Sequence, residues 1–279
     1  MAVLSHYEVE PVLQAWRQGQ TEVFMSLDLG KTQVHVSLTR EGINLPGEGC
    51  LPWEEAEKII SHPNVCFRWN AKTGLHPLQV FSPLTQRLVT LYPTGTAPTI
   101  TLSGIPMHRI QGTDPWRDTL TKIRAARARG RVLDTCMGLG YTAIAAARTA
   151  SFVLTVELDP AVIAIARENP WSSDLFVHPR IHIVQADVAE LIAGLPTGEF
   201  TVVIHDPPMF SLAGELYSLD FYHEVLRVLS PRGRLFHYIG NPEGKMARNL
   251  TRSVTRRLQQ AGFRKIVPAR AAFGVIALK

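Results

Sequence analysis

The pattern of apolar and polar positions divides the chain into two parts. From Asp114 onward, helical stretches with one apolar face alternate with short apolar runs that end in polar residues. The alternation predicts strands at 131–135, 152–156, 181–184, 201–205, 234–239, 263–267 and 273–278, and helices at 114–130, 141–149, 160–168, 187–194, 218–229 and 245–261. The first of these helices has Asp114 as its N-cap and Pro115 in its first turn, and Gly130 marks its end. Strict alternation predicts an α/β fold with a mostly parallel sheet covered on both faces.

The first hundred residues lack this alternation. Short apolar runs separated by Gly, Pro and Asn predict antiparallel strands, two of which flank Leu29-Gly30-Lys31. One helix is predicted from Trp53 to Ile60. We therefore expect a small, mostly-β N-terminal domain over residues 1–100 and a second domain over 101–279. The stretch TLYPTGTAPT is the expected linker.

The most informative motif is the run RVLDTCMGLGY, in which an apolar strand ends at Asp134 and a glycine turn follows. Gly138 and Gly140 allow the backbone to approach a ligand, or they simply form a strand-to-helix turn. A dinucleotide fingerprint has a third glycine, G-x-G-x-x-G, but position 143 is alanine. The motif therefore favours a smaller adenosine ligand without a pyrophosphate.

Two further acids follow the next two predicted strands. Glu157, followed by Leu158, ends the second strand, where a carboxylate can bind both ribose hydroxyls. Asp187 ends the third strand, where its carboxylate and the N–H of Val188 can hydrogen-bond an adenine. Asp187 is also a suitable helix N-cap, and one residue can serve both purposes.

These residues resemble the cofactor site of class I S-adenosylmethionine-dependent enzymes over about residues 101–279. The resemblance implies a Rossmann-like, mostly parallel sheet that ends in an antiparallel hairpin. It implies S-adenosyl-L-methionine as the cofactor, bound by Asp134, Gly138, Gly140, Glu157, Leu158, Asp187, Val188 and Asp206. The sequence departs from the family at Cys136, where these enzymes have a glycine.

The segment after the fourth strand contains Asp206-Pro207-Pro208. Both prolines fix φ and lack an N–H, so this turn is rigid, and its carbonyls and Asp206 can accept hydrogen bonds from an amine. Amino-methyltransferases resemble this turn, with D/N-P-P followed directly by an aromatic residue. Here Met209 stands between the prolines and Phe210. The resemblance implies that the turn and Phe210 contact the acceptor substrate.

Other side chains are candidates for the chemistry. Asp206 is the expected proton acceptor, and Tyr217 and His205 are alternatives, although Tyr217 also suits the core of the following helix. His108 and Arg109 lie between an apolar strand and a helix cap. They either reach the carboxylate of the cofactor or form a surface pair.

The segments AGELYSLDFYHEVLRVLSPRGRL and HPRIHIVQAD resemble spermidine synthase-like enzymes, and the first also resembles archaeal-type methyltransferases of that superfamily. Aminopropyltransferases usually carry a G-G-G-D-G turn, whose aspartate is replaced here by Leu139, and a D-S-S-D-P segment, reduced here to Asp206 before proline. The loss of carboxylates disfavours a polycationic substrate. The sequence predicts a methyltransferase acting on an amine, with aminopropyl transfer from the decarboxylated cofactor as the alternative.

The formal charge of +5 modestly favours an anionic partner. Arg248, Arg252 and Arg256 recur at helical spacing and form either a solvated face or a phosphate-binding stripe. A tRNA is therefore one candidate acceptor. The third hypothesis is a cofactor-binding, RNA-associated protein without catalytic turnover.

Three scattered cysteines without a C-x-x-C pair predict neither disulfides nor a metal site. No apolar run reaches the ~20 residues that span a bilayer, so a cytoplasmic protein without a membrane partner is expected. A homodimer is expected only by analogy with polyamine synthases.

Overall fold

The computed structural model describes residues 2–240 and 245–279. The chain forms two compact units. The first contains the residues up to Pro115 together with Ala161–Ser173, and the second contains Trp116–Pro160 and Asp174–Lys279. Within the described residues, no helix has both the length and the apolar character needed to cross a membrane.

Short strands dominate the first unit. They form three antiparallel sheets, in the orders β1-β6-β7, β2-β3-β4-β5 and β11-β10-β9-β8. The strands are β1 (Ala2–Leu4), β2 (Glu22–Met25), β3 (Val34–Leu38), β4 (Gly42–Leu45), β5 (Gly49–Pro52), β6 (Phe67–Asn70), β7 (Gly74–Pro77), β8 (Gln79–Ser82), β9 (Arg87–Tyr92), β10 (Thr99–Leu102) and β11 (Ile105–Pro106). This arrangement confirms the prediction of a small β-rich N-terminal region.

The prediction of one helix in this region is wrong, because helix α1 (His6–Arg17) precedes the predicted helix α2 (Trp53–Ser61). A capping box begins α1, in which the Ser5 hydroxyl accepts from the Tyr7 N–H and the Glu8 carboxylate accepts from the Ser5 N–H at 2.8 Å. The signal for this helix is the S-x-x-E pattern, which is obscured by the polar character of the segment and by Pro11.

The expected boundary at residue 100 falls inside β10. This strand pairs with β9 on one side and with β11 on the other. The expected linker, residues 90–99, therefore joins two paired strands of one sheet.

The second unit follows the predicted alternation. Its strands are β12 (Gly130–Asp134), β13 (Ala150–Glu157), β14 (Ile181–Gln185), β15 (Phe200–His205), β16 (Leu229–Tyr238), β17 (Lys265–Ala269) and β18 (Gly274–Leu278). The helices of this part of the chain are α3 (Pro115–Ala126), α4 (Tyr141–Ala147), α5 (Pro160–Glu168), α6 (Ser173–Val177), α7 (Val188–Leu191), α8 (Leu219–Val228) and α9 (Lys245–Gln260). Of these, α5 beyond its first residue is grouped with the first unit.

The seven strands form one sheet in the order β14-β13-β12-β15-β16-β18-β17. The first five are parallel, and β18 is antiparallel to both of its neighbours. The Rossmann-like sheet and its antiparallel hairpin are thus confirmed. The strand order reverses between β12 and β15, and such a reversal opens a crevice at the carboxyl ends of the strands.

Two helix predictions need correction. Helix α3 ends at Ala126 because Arg127 adopts a left-handed conformation (φ 51°), and Gly130 instead begins β12. The predicted helix 187–194 is a single α-turn followed by a 3₁₀ turn, Ile192–Gly194. Helix α6 is absent from the sequence-based prediction.

The turn from β12 to α4 depends on Gly140. This residue is the N-cap of α4 and has φ 74°. Its N–H donates to the Met137 carbonyl at 2.7 Å. A Cβ at this position would clash with the side chain of Leu175, which is buried on α6. The glycine is therefore required by both backbone conformation and packing.

We predict that Gly140→Ala destabilises the protein by about 1–3 kcal/mol more than Gly198→Ala, because Leu175 must move. Gly198 is the matched control, since it has φ 75° and no atom lies within 4 Å of the position that an alanine Cβ would take. The left-handed conformation alone costs an alanine about 1–2 kcal/mol in both variants. Urea unfolding measures the difference, and equal losses would contradict the packing role.

Candidate functional site

Four acidic residues lie at the carboxyl ends of neighbouring parallel strands. Asp134 ends β12, Glu157 ends β13, Asp187 follows β14 and Asp206 follows β15. The strand register aligns Asp134 with Thr155 and Ile204, and Glu157 with Gln185. The fold therefore brings all four predicted acids to one edge of the sheet.

The glycine turn is held over this edge by backbone hydrogen bonds. The Gly138 N–H donates to Glu157 Oε2 at 2.9 Å, and the Met137 N–H donates to the Val156 carbonyl at 2.8 Å. Gly138 has φ 52°, and the space where its Cβ would stand is open. A ligand can approach the backbone here, whereas the space beside Gly140 is filled by Leu175.

The Asp134 carboxylate is fully buried beneath the turn. Its Oδ2 accepts hydrogen bonds from Thr155 at 2.8 Å and from Thr142 at 3.0 Å. Its Oδ1 is buried and has no hydrogen-bond partner within the described residues. Burial raises the pKa of Asp134 to about 7, with smaller contributions from the negative charges of Asp206 and Glu157, while the two threonine hydroxyls oppose the rise.

Glu157 links the glycine turn to the following loop. Its Oε1 accepts from the Asp159 N–H at 3.0 Å, while Oε2 accepts from Gly138. Burial raises the pKa of Glu157 to about 7, although these backbone N–H groups lower it. The next residue, Leu158, has 43% of its surface exposed. An apolar contact surface is thus available beside the carboxylate.

Asp187 is the N-cap of α7. Its Oδ1 accepts from the Ala189 N–H at 2.8 Å, and Val188 is buried. The alternative of a capping role is therefore observed. The second carboxylate oxygen is still capable of accepting from a ligand.

A lysine that the sequence analysis missed accompanies Asp206. The Lys122 ammonium, from α3, donates to Asp206 Oδ2 at 2.6 Å and lies 2.9 Å from Asp118 Oδ2. The side chain of Lys122 is 1% exposed and that of Asp206 is 16% exposed. The signal in the sequence is the D-x-x-x-K spacing on α3, which places both side chains on one helix face. A single lysine in an amphipathic helix is ordinarily a solvated residue, so this spacing alone does not indicate a buried pair.

A hydrogen bond from a buried tyrosine holds the Asp206-Pro207-Pro208 turn. The Tyr217 hydroxyl donates to the Pro208 carbonyl at 2.9 Å. Phe210 is 46% exposed and packs edge-to-face on Tyr217, with ring centroids 5.4 Å apart. Tyr217 therefore supports the turn and the exposed aromatic ring from a buried position.

His205 is buried with both ring nitrogens engaged. Because the Leu216 carbonyl can only accept, Nε2 carries the proton and donates to it at 3.0 Å, and Nδ1 accepts from the Thr135 hydroxyl at 2.7 Å. Burial lowers the pKa of His205 well below its ordinary value. The neighbouring ring of His237 lies 4.5 Å away, and burial lowers its pKa to about 3. Both histidines are neutral members of the core.

The structure places His108 and Arg109 in the first unit, whereas the four acids belong to the second. His108 Nδ1 and the Thr99 hydroxyl are 2.8 Å apart, and the His108 N–H donates to the same hydroxyl at 3.2 Å. The role of this pair toward a cofactor stays a prediction.

The acidic edge fits the predicted nucleoside cofactor. The unpartnered oxygen of Asp134 suits a buried N–H or ammonium group, and the open position at Gly138 allows close backbone approach. Glu157 is placed at the second strand end, where ribose hydroxyls are bound in open α/β sheets. Within the described residues, no group of three or more His, Cys, Asp or Glu side chains could hold a metal ion.

Comparisons with known proteins show which sequences and folds this chain resembles. The sequence family described as "Methyltransferase domain" matches residues 132–233. Uncharacterized protein MJ1233 of Methanocaldococcus jannaschii is 41% identical over 267 residues, which cover 92% of this chain and 90% of that protein. A polyamine aminopropyltransferase of Mycobacterium tuberculosis is 37% identical over 99 residues, which cover 32% of this chain and 18% of that enzyme.

The solved structures with a similar fold include spermidine synthases. The enzyme from Thermotoga maritima superposes with a TM-score of 0.57 at 20% identity, covering 72% of this chain and 70% of that one. A spermidine synthase in complex with the transition-state analogue AdoDATO gives a TM-score of 0.58 at 19% identity, covering 72% of each chain. At this level of identity the likeness shows the fold alone.

We predict that Asp134→Asn reduces the fall in thermal stability as the pH rises from about 4 to about 7. Between these pH values Asp134 keeps its proton in the folded state but has lost it in the unfolded state, where its pKa is near 3.8. Folding therefore binds a proton, and stability decreases as the pH rises. Asparagine does not titrate and can still accept from both threonines. Unfolding midpoints at pH 5 and pH 8 measure the effect, with Asp220→Asn, at an exposed position, as the control. An unchanged difference between the two midpoints would contradict the prediction.

Proposed function

We propose that this chain transfers a methyl group to the nitrogen of an amine-bearing acceptor. The chain belongs to the family of the archaeal protein MJ1233 and is an S-adenosylmethionine-dependent transferase of the spermidine synthase-like superfamily. The acceptor is an RNA or a small molecule, and tRNA is the first RNA to test.

The placement of Asp206 carries the proposal. This carboxylate follows β15 at the strand-order reversal, next to the end of β12. Lys122 binds its Oδ2, whereas Oδ1 accepts no hydrogen bond from residues 2–240 and 245–279. One oxygen is therefore fixed, and the other is available to an acceptor N–H.

The chemistry demands little of the protein beyond alignment and a proton acceptor. S-adenosylmethionine supplies an activated methyl group, so that the acceptor nitrogen bonds to the methyl carbon as the sulfur takes the electron pair and leaves as a neutral thioether. Asp206 accepts the proton that the nitrogen loses. The Pro207-Pro208 turn is rigid because both prolines fix φ, and its carbonyls are further acceptors for the amine.

The alternative proton acceptors fit positioning roles better. The Tyr217 hydroxyl already donates to Pro208, and burial raises its pKa. Both nitrogens of His205 are engaged within the core. We infer that Tyr217 and His205 support the turn, while Asp206 contacts the acceptor.

We assign cofactor contacts to the acidic edge. Asp134 and the backbone near Gly138 suit the methionine portion, and Glu157 suits the ribose hydroxyls. The carboxylate of Asp187 and the N–H of Val188 suit the adenine, with Leu158 beside it. Gly140 acts through the turn, because its Cβ space is taken by Leu175.

Two observations favour methyl transfer over aminopropyl transfer. Leu139 replaces a carboxylate and is fully buried, so this turn cannot bind a polyamine through a charge. Lys122 already occupies one oxygen of Asp206 at 2.6 Å, which leaves less of this carboxylate for a second ammonium group of a polyamine. Aminopropyl transfer is the second candidate, because the chain shares local sequence with a polyamine aminopropyltransferase.

A cofactor-binding protein without turnover is the third candidate. It draws support from Arg248, Arg252 and Arg256, which are all exposed on α9. We also propose a cytoplasmic location, a division into domains at 1–100 and 101–279, and, by analogy with polyamine synthases, a homodimer.

We predict that the protein binds S-adenosylmethionine more tightly than its decarboxylated form. Calorimetric titration with both compounds measures this preference, and methyl transfer is then assayed with tritiated cofactor against total tRNA and a panel of small amines. Tighter binding of the decarboxylated form, with transfer to putrescine, would favour aminopropyl transfer instead. Binding without transfer to any acceptor would favour the non-catalytic hypothesis.

We predict that Asp206→Ala lowers turnover by at least about 100-fold, the usual scale of general-base catalysis, while cofactor affinity changes little. Glu215→Ala is a control at an exposed acid of the same segment. Full activity of Asp206→Ala would show that the reaction centre lies elsewhere.

A further inference from the structure

The ammonium of Lys122 is enclosed by groups from three elements of the second unit. It contacts Asp118 on its own helix, Asp206 after β15, and the face of the Tyr238 ring at the end of β16, 4.2 Å from the ring centroid. The Lys122 and Asp118 side chains are 1% and 0% exposed. The charges of Lys122 and Asp118 are therefore shielded from solvent, whereas Asp206 is 16% exposed.

Stability alone is a poor explanation for this lysine. Taking charges out of water costs several kcal/mol per ion, and an apolar replacement of a buried ion pair is often neutral or stabilising. The lysine does, however, hold one oxygen of Asp206 and place a positive charge beside that carboxylate. A second carboxylate, Asp118, competes for the same ammonium.

We propose that Lys122 is a positioning residue that keeps Asp206 ionised and oriented toward the acceptor in the transfer reaction. In this proposal Asp118 weakens the interaction between Lys122 and Asp206, because it competes for the same ammonium. The inference rests on the proposed function in one respect, namely that Asp206 is the group facing the acceptor.

The two neighbours act on Asp206 in opposite directions. Burial raises the pKa of Asp206, the charge and hydrogen bond of Lys122 lower it, and the charge of Asp118 raises it. Removing Lys122 should therefore move the titration of Asp206 to higher pH, and removing the charge of Asp118 should move it to lower pH. These opposite shifts follow from charge alone, so the role in transfer is tested separately by the pH profile of the reaction.

Other titratable groups also face Asp206. The negative charge of Asp206 helps to raise the pKa of Asp134 from β12, Cys136 from the glycine turn and Tyr217 from the 3₁₀ turn. His205 and His237 are neutral, because burial lowers their pKa values. Within the described residues, Lys122 is the cation recorded in contact with Asp206.

The direct test is carbon NMR of full-length protein labelled at the aspartate carboxyl carbon. The Asp206 signal is assigned by its loss in Asp206→Asn and is then titrated in the wild type, Lys122→Met and Asp118→Asn. We expect Lys122→Met to raise the Asp206 midpoint by about one pH unit or more, and Asp118→Asn to lower it. Lys265→Met, at an exposed position on β17, is the matched control and should leave it unchanged.

The functional test is the pH profile of kcat/KM for methyl transfer to an acceptor that the tritium assay identifies for the wild type. The acidic limb of the profile should move to higher pH in Lys122→Met and to lower pH in Asp118→Asn. At neutral pH, kcat of Lys122→Met should fall more than about tenfold while cofactor affinity stays unchanged. If Lys122→Met does not fold, Asp118→Asn carries the test alone, because it keeps the Lys122–Asp206 pair.

The outcomes separate the two proposals. Asp206 midpoints that stay in place in every folded variant would overturn the role of Lys122, even if the wild type transfers methyl groups. Midpoints that move as expected, in a protein that transfers nothing, would leave the charge coupling intact and overturn the proposed function and, with it, the positioning role.

Discussion

The candidate site depends on the parallel pairing of β12 with a different strand on each side. Asp134 is aligned with Thr155 of β13 and with Ile204 of β15, and the strand order reverses at this point. The resulting crevice receives the ends of four strands, and each end carries an acid. A shift of register would move these acids apart or turn them to the other face, because side chains alternate along a strand.

Carboxylates concentrated at one buried edge repel one another, and the fold compensates each in a different way. Asp134 is bound by two hydroxyls, Glu157 by two backbone N–H groups, and Asp206 by an ammonium. All three compensations are partial, since burial raises the pKa of Asp134 and Glu157 to about 7 and also raises the pKa of Asp206. If the proposed cationic cofactor binds at this edge, its charge relieves the repulsion and its binding stabilises the folded state by mass action.

The sequence was sufficient for the parallel sheet, because strand and helix periods alternate without interruption after Asp114. It also located the acids at the strand ends, since each follows an apolar run. It could not reveal Lys122, whose partner Asp206 lies 84 residues away and is joined to it only by the packing of α3. It could not give the packing reason for Gly140, because that reason is the side chain of Leu175 on α6, a helix too short to leave a periodic signal. Helix α1 was missed because its capping box lies in a polar segment.

The cluster of Asp118, Lys122 and Asp206 can be recognised from an amino-acid sequence, because Asp118 and Lys122 are four residues apart on one helix. A D-x-x-x-K pattern in the helix before the first parallel strand, combined with D-P-P after the fourth, specifies all three members by position. A chain that carries both motifs has the residues for this ion cluster, whereas a chain with the D-P-P turn alone lacks Asp118 and Lys122. The pair of motifs thus offers a way to sort unassigned sequences by the electrostatics of the acceptor site, before any acceptor has been identified.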